Sequence, residues 1–191
     1  MEKLLQYYGF SATDIQSFMA NALIVKCAKK TILVREGETA HFIYWANQGV
    51  FRAGFTDTKG NVHSRAFFSP DTVAYVASYV SFVMQQPSLI FLEALEDGEV
   101  LSWHRDYIRK LEETDFKWLS FFKKQLDIAI QLREKKEWHC YTLTPEEHYL
   151  AFLNESPSLV HTIPQHYIAS YLGIAPETLS RIRKRLSNEK A

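Results

Sequence analysis

The feature that most constrains this chain is a change of hydrophobic period near His104. Before it, Thr31 to Val34, Phe42 to Ala46, Val50 to Phe55, Val62 to Phe68 and Leu89 to Leu95 are short runs rich in β-branched and aromatic residues. Gly37, Gly49, Asp57 to Asn61, Ser69-Pro70-Asp71 and Asp97-Gly98 separate them. Short strands between regular turns predict an antiparallel barrel or sandwich, with Val100 to Trp103 closing the sheet. Val62, Ser64 and Ala66 alternate with His63, Arg65 and Phe67, the period of a half-buried strand. Ahead of the strands, Ser11 reads as the N-cap of a short amphipathic helix reaching about Ala22.

From Asp106 onward the spacing is helical. A short helix ends near Glu113, and Thr114 reads as the cap of a longer one reaching about Glu137. Along it Leu119, Phe122, Leu126 and Ala129 form one apolar stripe, and Trp118, Phe121, Ile128 and Leu132 another. Two stripes on one helix call for two packing partners. Here they are read as the strand domain and a second copy of the same helix, with burial inside a monomer as the other possibility. The expected self-contact uses Leu119, Phe122, Leu126, Ala129 and Ile130. Thr144-Pro145-Glu146-Glu147 then spells a capping box with proline in the first helical position, and that helix stops before Ser156-Pro157. The expected class is α+β, with a strand domain over 1–113, a dimerisation helix over 114–137 and a helical domain over 138–191.

The last segment reads IPQHYIASYLGIAPETLSRIRKRLSNEKA. Pro164 opens a helix with Ile168, Ala169 and Leu172 inward. Gly173 gives the backbone freedom for a sharp turn, and Ile174 plugs it. Ala175-Pro176 begins a second helix with Leu179, Ile182 and Leu186 inward. Helix, glycine turn and helix of this length form a helix-turn-helix, which places its second helix in the major groove of DNA. On the outward face, Pro176, Glu177, Thr178, Ser180 and Arg181 are the expected base readers. A glutamate can accept from the cytosine amino group and an arginine can make a bidentate contact to guanine. Gln165, Arg183, Lys184 and Arg185 are the expected phosphate contacts, which add affinity without sequence information. Five basic residues (Arg181, Arg183, Lys184, Arg185, Lys190) stand against Glu177 and Glu189 here, in a chain of formal net charge zero. The basic surface is therefore local.

The order of strand domain, long helix and helix-turn-helix resembles the Crp/Fnr family of bacterial transcription regulators over roughly Ala28 to Leu186. The most specific part is IASYLGIAPETLSRIRKRL, with Glu177, Thr178 and Arg181 on the family's E-T-x-x-x-R positions. Val34 to Glu38 (VREGE), Gly49 and Gly60 add weaker support. The resemblance implies a cyclic-nucleotide-binding-like jelly roll, a homodimer, double-stranded DNA as target and RNA polymerase as a further partner. Three departures qualify it. Tyr75 lies near the position of the family's ribose-binding glutamate, and Pro87-Ser88 near its phosphate-binding Arg-Ser. A buried phosphate without its arginine is poorly compensated, so no cyclic AMP response is expected. The cysteine cluster of the oxygen-sensing branch is absent. No β-hairpin wing follows the recognition helix before Ala191, and Pro176 stands where relatives often carry a base-reading arginine.

Aromatic residues make up 14% of the chain, and those of the strand domain either line an effector pocket or fill its core. Phe51, Arg65, Phe67, Tyr75 and Tyr79 are the candidate pocket residues. Cys27 and Cys140 are too few for a disulfide framework or an all-cysteine metal site and read as free thiols. The seven histidines show no ligand spacing, so no metal or haem is expected, nor the metal triad that an enzyme on a cupin-like roll requires. The start, MEKLLQYYGFSATD, has no signal-peptide pattern, and no apolar run approaches the roughly 20 residues that span a bilayer. The expected compartment is the cytoplasm. Against the DNA-binding reading stands a ligand-sensing module that acts through protein contacts, its helix-turn-helix vestigial.

Overall fold

The computed structural model describes residues 1–188. Glu189 and Lys190, counted in the charge balance above, lie outside that range, as does the stretch next to Ala191 where a wing was weighed. Two helices, α1 (Glu2–Tyr7) and α2 (Ala12–Ala20), precede the strands. The Ser11 hydroxyl accepts from the Asp14 amide at 3.1 Å while the Asp14 carboxylate accepts from the Ser11 amide at 3.0 Å, so the expected cap is a full capping box.

Eight strands follow: β1 (Leu23–Cys27), β2 (Ile32–Val34), β3 (Phe42–Gln48), β4 (Phe51–Thr56), β5 (Val62–Phe68), β6 (Tyr75–Val76), β7 (Phe91–Ala94) and β8 (Gly98–His104). They form two four-stranded antiparallel sheets, ordered β1-β8-β3-β6 and β2-β7-β4-β5. A short helix, α3 (Tyr79–Met84), sits between β6 and β7. The sequence pattern missed α1, β1, β6 and α3, each six residues or fewer, too short to establish a period.

The alternation expected along β5 fails at Arg65. Ala53 pairs with Ala66 and Gly54 with Ser64, which leaves Arg65 as an extra residue opposite nothing. This β-bulge reverses the pleat, so Ser64 and Phe67, expected on opposite faces, are both buried.

The larger core is aromatic. Phe18 stacks on Trp103 and Trp118 at 4.5 and 4.6 Å, and the Trp103 indole donates to the Phe18 carbonyl at 2.9 Å. Each such aromatic pair contributes about 0.5–1.5 kcal/mol beyond its area burial. Within the first sheet, the end of β3 and the start of β8 meet at a glycine contact. A Cβ on Gly98 would collide with the Gln48 carbonyl oxygen and lie 3.1 Å from the Gly49 Cα, both backbone atoms.

After the sheets come α4 (Arg105–Thr114) and α5 (Phe116–Thr142). Thr114 does not cap the long helix. It ends α4, its hydroxyl donating to the Lys110 carbonyl at 2.7 Å, and Asp115 caps α5 by accepting from the Lys117 amide at 2.8 Å. The helix also passes Glu137 and runs on to Thr142, stopping only ahead of the Thr144 capping box. That box starts α6 (Pro145–Glu155), followed by α7 (Leu159–Thr162), α8 (Gln165–Leu172) and α9 (Pro176–Asn188).

Gly98→Ala should cost about 1–3 kcal/mol, since backbone cannot yield to the added methyl. Urea denaturation measures this, and an unchanged midpoint contradicts the close approach.

Candidate nucleic-acid interface

The turn between α8 and α9 is built as the sequence requires. Gly173 adopts φ 71°, ψ 27°, the left-handed region where a side chain is penalised. Its amide donates to the Ser170 carbonyl at 3.2 Å, and the Ile174 amide to the Ala169 carbonyl at 3.0 Å, closing the end of α8. Pro164 is the cap residue rather than the first residue of α8. Ile168, Ala169 and Leu179 have no exposure, and Leu172 and Ile182 are buried with them. A larger residue at Ala169 would push the two helices apart.

On α9, Glu177, Arg181 and Lys184 share the face opposite Leu179 and Ile182, with Ser180 beside them, and all four are exposed. Arg181 lies back along its own helix, Nε donating to the Glu177 carbonyl and one terminal nitrogen to Thr178 Oγ1, both at 3.4 Å. Arg181, Lys184, Arg185 and Asn188 line an open depression. Of the remaining expected residues, Pro176 begins the helix on its flank, and Thr178 and Arg183 are half-buried. Gln165 is exposed at the start of α8. Arg185 is not a free cation, because Glu146 on α6 holds it in an ion pair.

The helix pair is docked against the strand domain, which the sequence pattern did not reveal. The first four residues of β4, Phe51 to Gly54, are all buried, so both faces of the strand are covered. The outer side carries Arg52, only 5% exposed. Its Nε donates to Glu93 Oε2 at 2.8 Å and a terminal nitrogen to Ser64 Oγ at 3.2 Å, and Arg52 and Glu93 face one another across the β4–β7 register. The ring of Tyr167, on α8, lies over this guanidinium at 3.8 Å. One turn on, Ser170 Oγ accepts from the Ser64 amide at 2.9 Å. Tyr171 meets Phe67 at 5.3 Å and receives Lys136 Nζ over its ring at 3.9 Å. That ammonium also donates to the Arg65 carbonyl at 2.8 Å, and burial pulls its pKa down to about 8. A signal for the Arg52–Glu93 pair existed. Each is a lone charge inside an apolar strand run, VFRAGF and IFLEAL, the signature of a charge buried with a partner.

The expected effector residues do not converge. Phe51 has no exposure and belongs to the main core, while Phe67 packs in the second cluster with the C-terminal helices. Arg65 sits half-buried at the bulge, its pKa lowered by burial and by the nearby Arg133. Tyr75 and Tyr79 alone line a common cavity. On α5, Phe122 is likewise not available for self-contact. It is buried with Trp118, Phe121 and Gln125 against the strand domain. Leu119, Ala129 and Ile130 are exposed and Leu126 is half-buried. Phe116, 79% exposed, extends that face by one turn; it lies inside the helix expected from the sequence but in neither of the two stripes read there.

No protein-family model matches the chain, and no curated protein sequence matches it. Solved structures do. FixK2 from Bradyrhizobium japonicum is 19% identical with a TM-score of 0.79, covering 88% of this chain and 86% of its own. A structure assigned to the Crp/Fnr family of transcriptional regulators, from Eubacterium rectale, is 13% identical with a TM-score of 0.73, covering 96% and 86%. The chain has the Crp/Fnr fold. CLP of Xanthomonas campestris, described as a c-di-GMP responsive global regulator, shares this Crp/Fnr fold at 16% identity and a TM-score of 0.74, covering 94% and 93%. Among the described residues, no helix is long and apolar enough to cross a membrane, and no cluster of three or more His, Cys, Asp or Glu is placed to hold a metal ion.

Tyr167→Leu removes the ring over Arg52 but leaves the Arg52–Glu93 pair intact. It should lower stability by about 1–2 kcal/mol, the range of a desolvated cation–π contact, whereas Tyr167→Phe should not. Equal denaturation midpoints for the two variants would refute the contact.

Proposed function

We propose that this protein is a homodimeric, sequence-specific DNA-binding transcription regulator of the Crp/Fnr type that does not respond to cyclic AMP. The observation that carries the reading is the outward face of α9. Glu177, Arg181 and Lys184 lie along one exposed side, and the opposite side is fixed by Leu179 and Ile182. A helix presented in this way enters the major groove with its N-terminal residues at base edges. Glu177 and Arg181 are the discriminating pair, Ser180 and Thr178 flank them, and Lys184 holds phosphate. Arg185 contributes less than its charge suggests, because contact with phosphate requires release from Glu146.

Dimerisation rests on the seam of Phe116, Leu119, Leu126 and Ile130, spaced by three, seven and four residues along α5, a coiled-coil spacing. Two recognition helices related by a two-fold axis then read half-sites about 34 Å apart. Insensitivity to cyclic AMP follows from the pocket chemistry. Pro87-Ser88 lie near the position of the family's phosphate-binding Arg-Ser and bring no arginine to it. The buried Ser88 hydroxyl is engaged with Ser78 Oγ at 2.7 Å and the Ile90 carbonyl at 2.6 Å.

Selection of bound sequences from random DNA, followed by titration, tests the reading. Arg181→Ala should cost about 1–3 kcal/mol and relax preference at one base pair per half-site. Lys184→Ala should weaken all sequences alike and flatten the salt dependence. Failure of the wild-type chain to enrich any sequence leaves the protein-contact reading instead. Ile130→Glu, which puts like charges at the seam, should convert the dimer to monomer in sedimentation experiments with the fold intact by circular dichroism. A dimer that persists in this variant places self-association elsewhere.

A further inference from the structure

Tyr75 and Tyr79 open onto a cavity of about 220 Å³ between α3, α4 and α5. Its apolar surface comes from Phe82, Ile108 and Phe122, and its polar groups are the two phenols, Arg105, Arg109 and Glu112. The charges are not used up by the protein. Glu112 is half-buried, and its carboxyl is pushed above the usual range by loss of water, with Arg109 and Arg105 only partly opposing this. Burial and the proximity of Glu112 raise both tyrosines as well. Arg105 spends Nε on the Phe82 carbonyl at 2.9 Å and one terminal nitrogen on that of Val83 at 3.4 Å. Arg109 is tied to Glu113 at 3.0 Å through one terminal nitrogen. A guanidinium has five N–H donors, so both retain donors. α5 contributes Phe122 and no charge to the lining.

An apolar cavity with a few convergent polar groups is the general form of a small-molecule site. This one carries acceptors and a negative charge together with donors and positive charge, in a space below the roughly 300–1,000 Å³ of drug-sized pockets. We propose that it binds a small zwitterion, an α-amino acid with an apolar side chain. The ammonium is taken by Glu112 and the phenol oxygens, the carboxylate by the remaining donors of Arg105 and Arg109, and the side chain by Phe82, Ile108 and Phe122. Bidentate guanidinium–carboxylate pairing suits the second contact. An aromatic ring beside the ammonium suits the first. The cavity shares α3 with the Ser78–Ser88 region, since Tyr79 and Phe82 lie between those serines, but neither serine lines it, and the proposal does not rest on the DNA-binding reading.

The test is calorimetric and thermal-shift titration of the full chain with L-phenylalanine, L-leucine and L-valine. Phenethylamine and 3-phenylpropionate, each bearing one of the two charges, serve as controls. At least one amino acid should bind saturably, and tenfold or more tighter than either control. Its affinity should rise with pH through the raised pKa of Glu112, where the carboxylate forms, and then level. Glu112→Gln should abolish binding and its pH dependence. Tyr79→Phe, which leaves the charges and the ring, should weaken binding several-fold without changing the unliganded melting temperature. No saturable response to any amino acid at about 10 mM, a control that binds as tightly, or Glu112→Gln binding undiminished would each overturn the proposal.

Discussion

The contact on which most of this structure depends is the one between Arg52 and Glu93, opposite one another on β4 and β7 and covered by Tyr167. An unpaired charge at that depth would be prohibitive, so the pair must form for the second sheet to accept a helix on its outer face. Once formed, it gives that face a flat cationic surface on which an aromatic ring rests. Ser64 and Phe67 join from β5 only because the bulge at Arg65 brings them to the same side. Removing one member of a buried pair generally costs about 3–5 kcal/mol. Here the loss would fall on the strand domain and on the seating of α8 together.

The long helix α5 serves two surfaces with different chemistry. Its first half gives Trp118, Phe121 and Phe122 to the aromatic core and turns Phe116, Leu119 and Ile130 outward. Its second half gives Lys136 to the Arg65 carbonyl and to Tyr171, and Lys135 to Glu155 on α6 at 2.6 Å. One rigid rod thus touches the aromatic core, the exposed seam and the C-terminal helices. A change at any of the three is felt along its length.

Much of this was legible in the sequence, for identifiable reasons. The Thr144 capping box, the Gly173 turn and the apolar spacing of α9 are local rules, each satisfied within a few residues, and they appear where expected. What escaped was non-local. Phe122 and Leu119 are equally apolar and three residues apart, and only the position of Phe18 and Trp103 decides which is buried. Arg65 reads as an ordinary strand residue until its partner strand is known to be one residue shorter. Tyr75 and Tyr79 stayed together as pocket residues because α3 follows β6 directly, while Phe51 and Phe67 were drawn into separate cores. A residue's chemistry was readable throughout; its neighbour was not.

The second hydrophobic cluster joins Val50, Phe67 and Leu95 of the strand domain to Ile168, Leu172 and Leu179 of the helix-turn-helix without a break. Proteins whose functional parts hang on linkers can exchange them by recombination, since neither part carries the other's packing. Here half of the seat lies in β4, β5 and β7, far upstream in the chain. A helix-turn-helix transplanted from another protein would arrive without a matching seat, so the two parts have to be exchanged together.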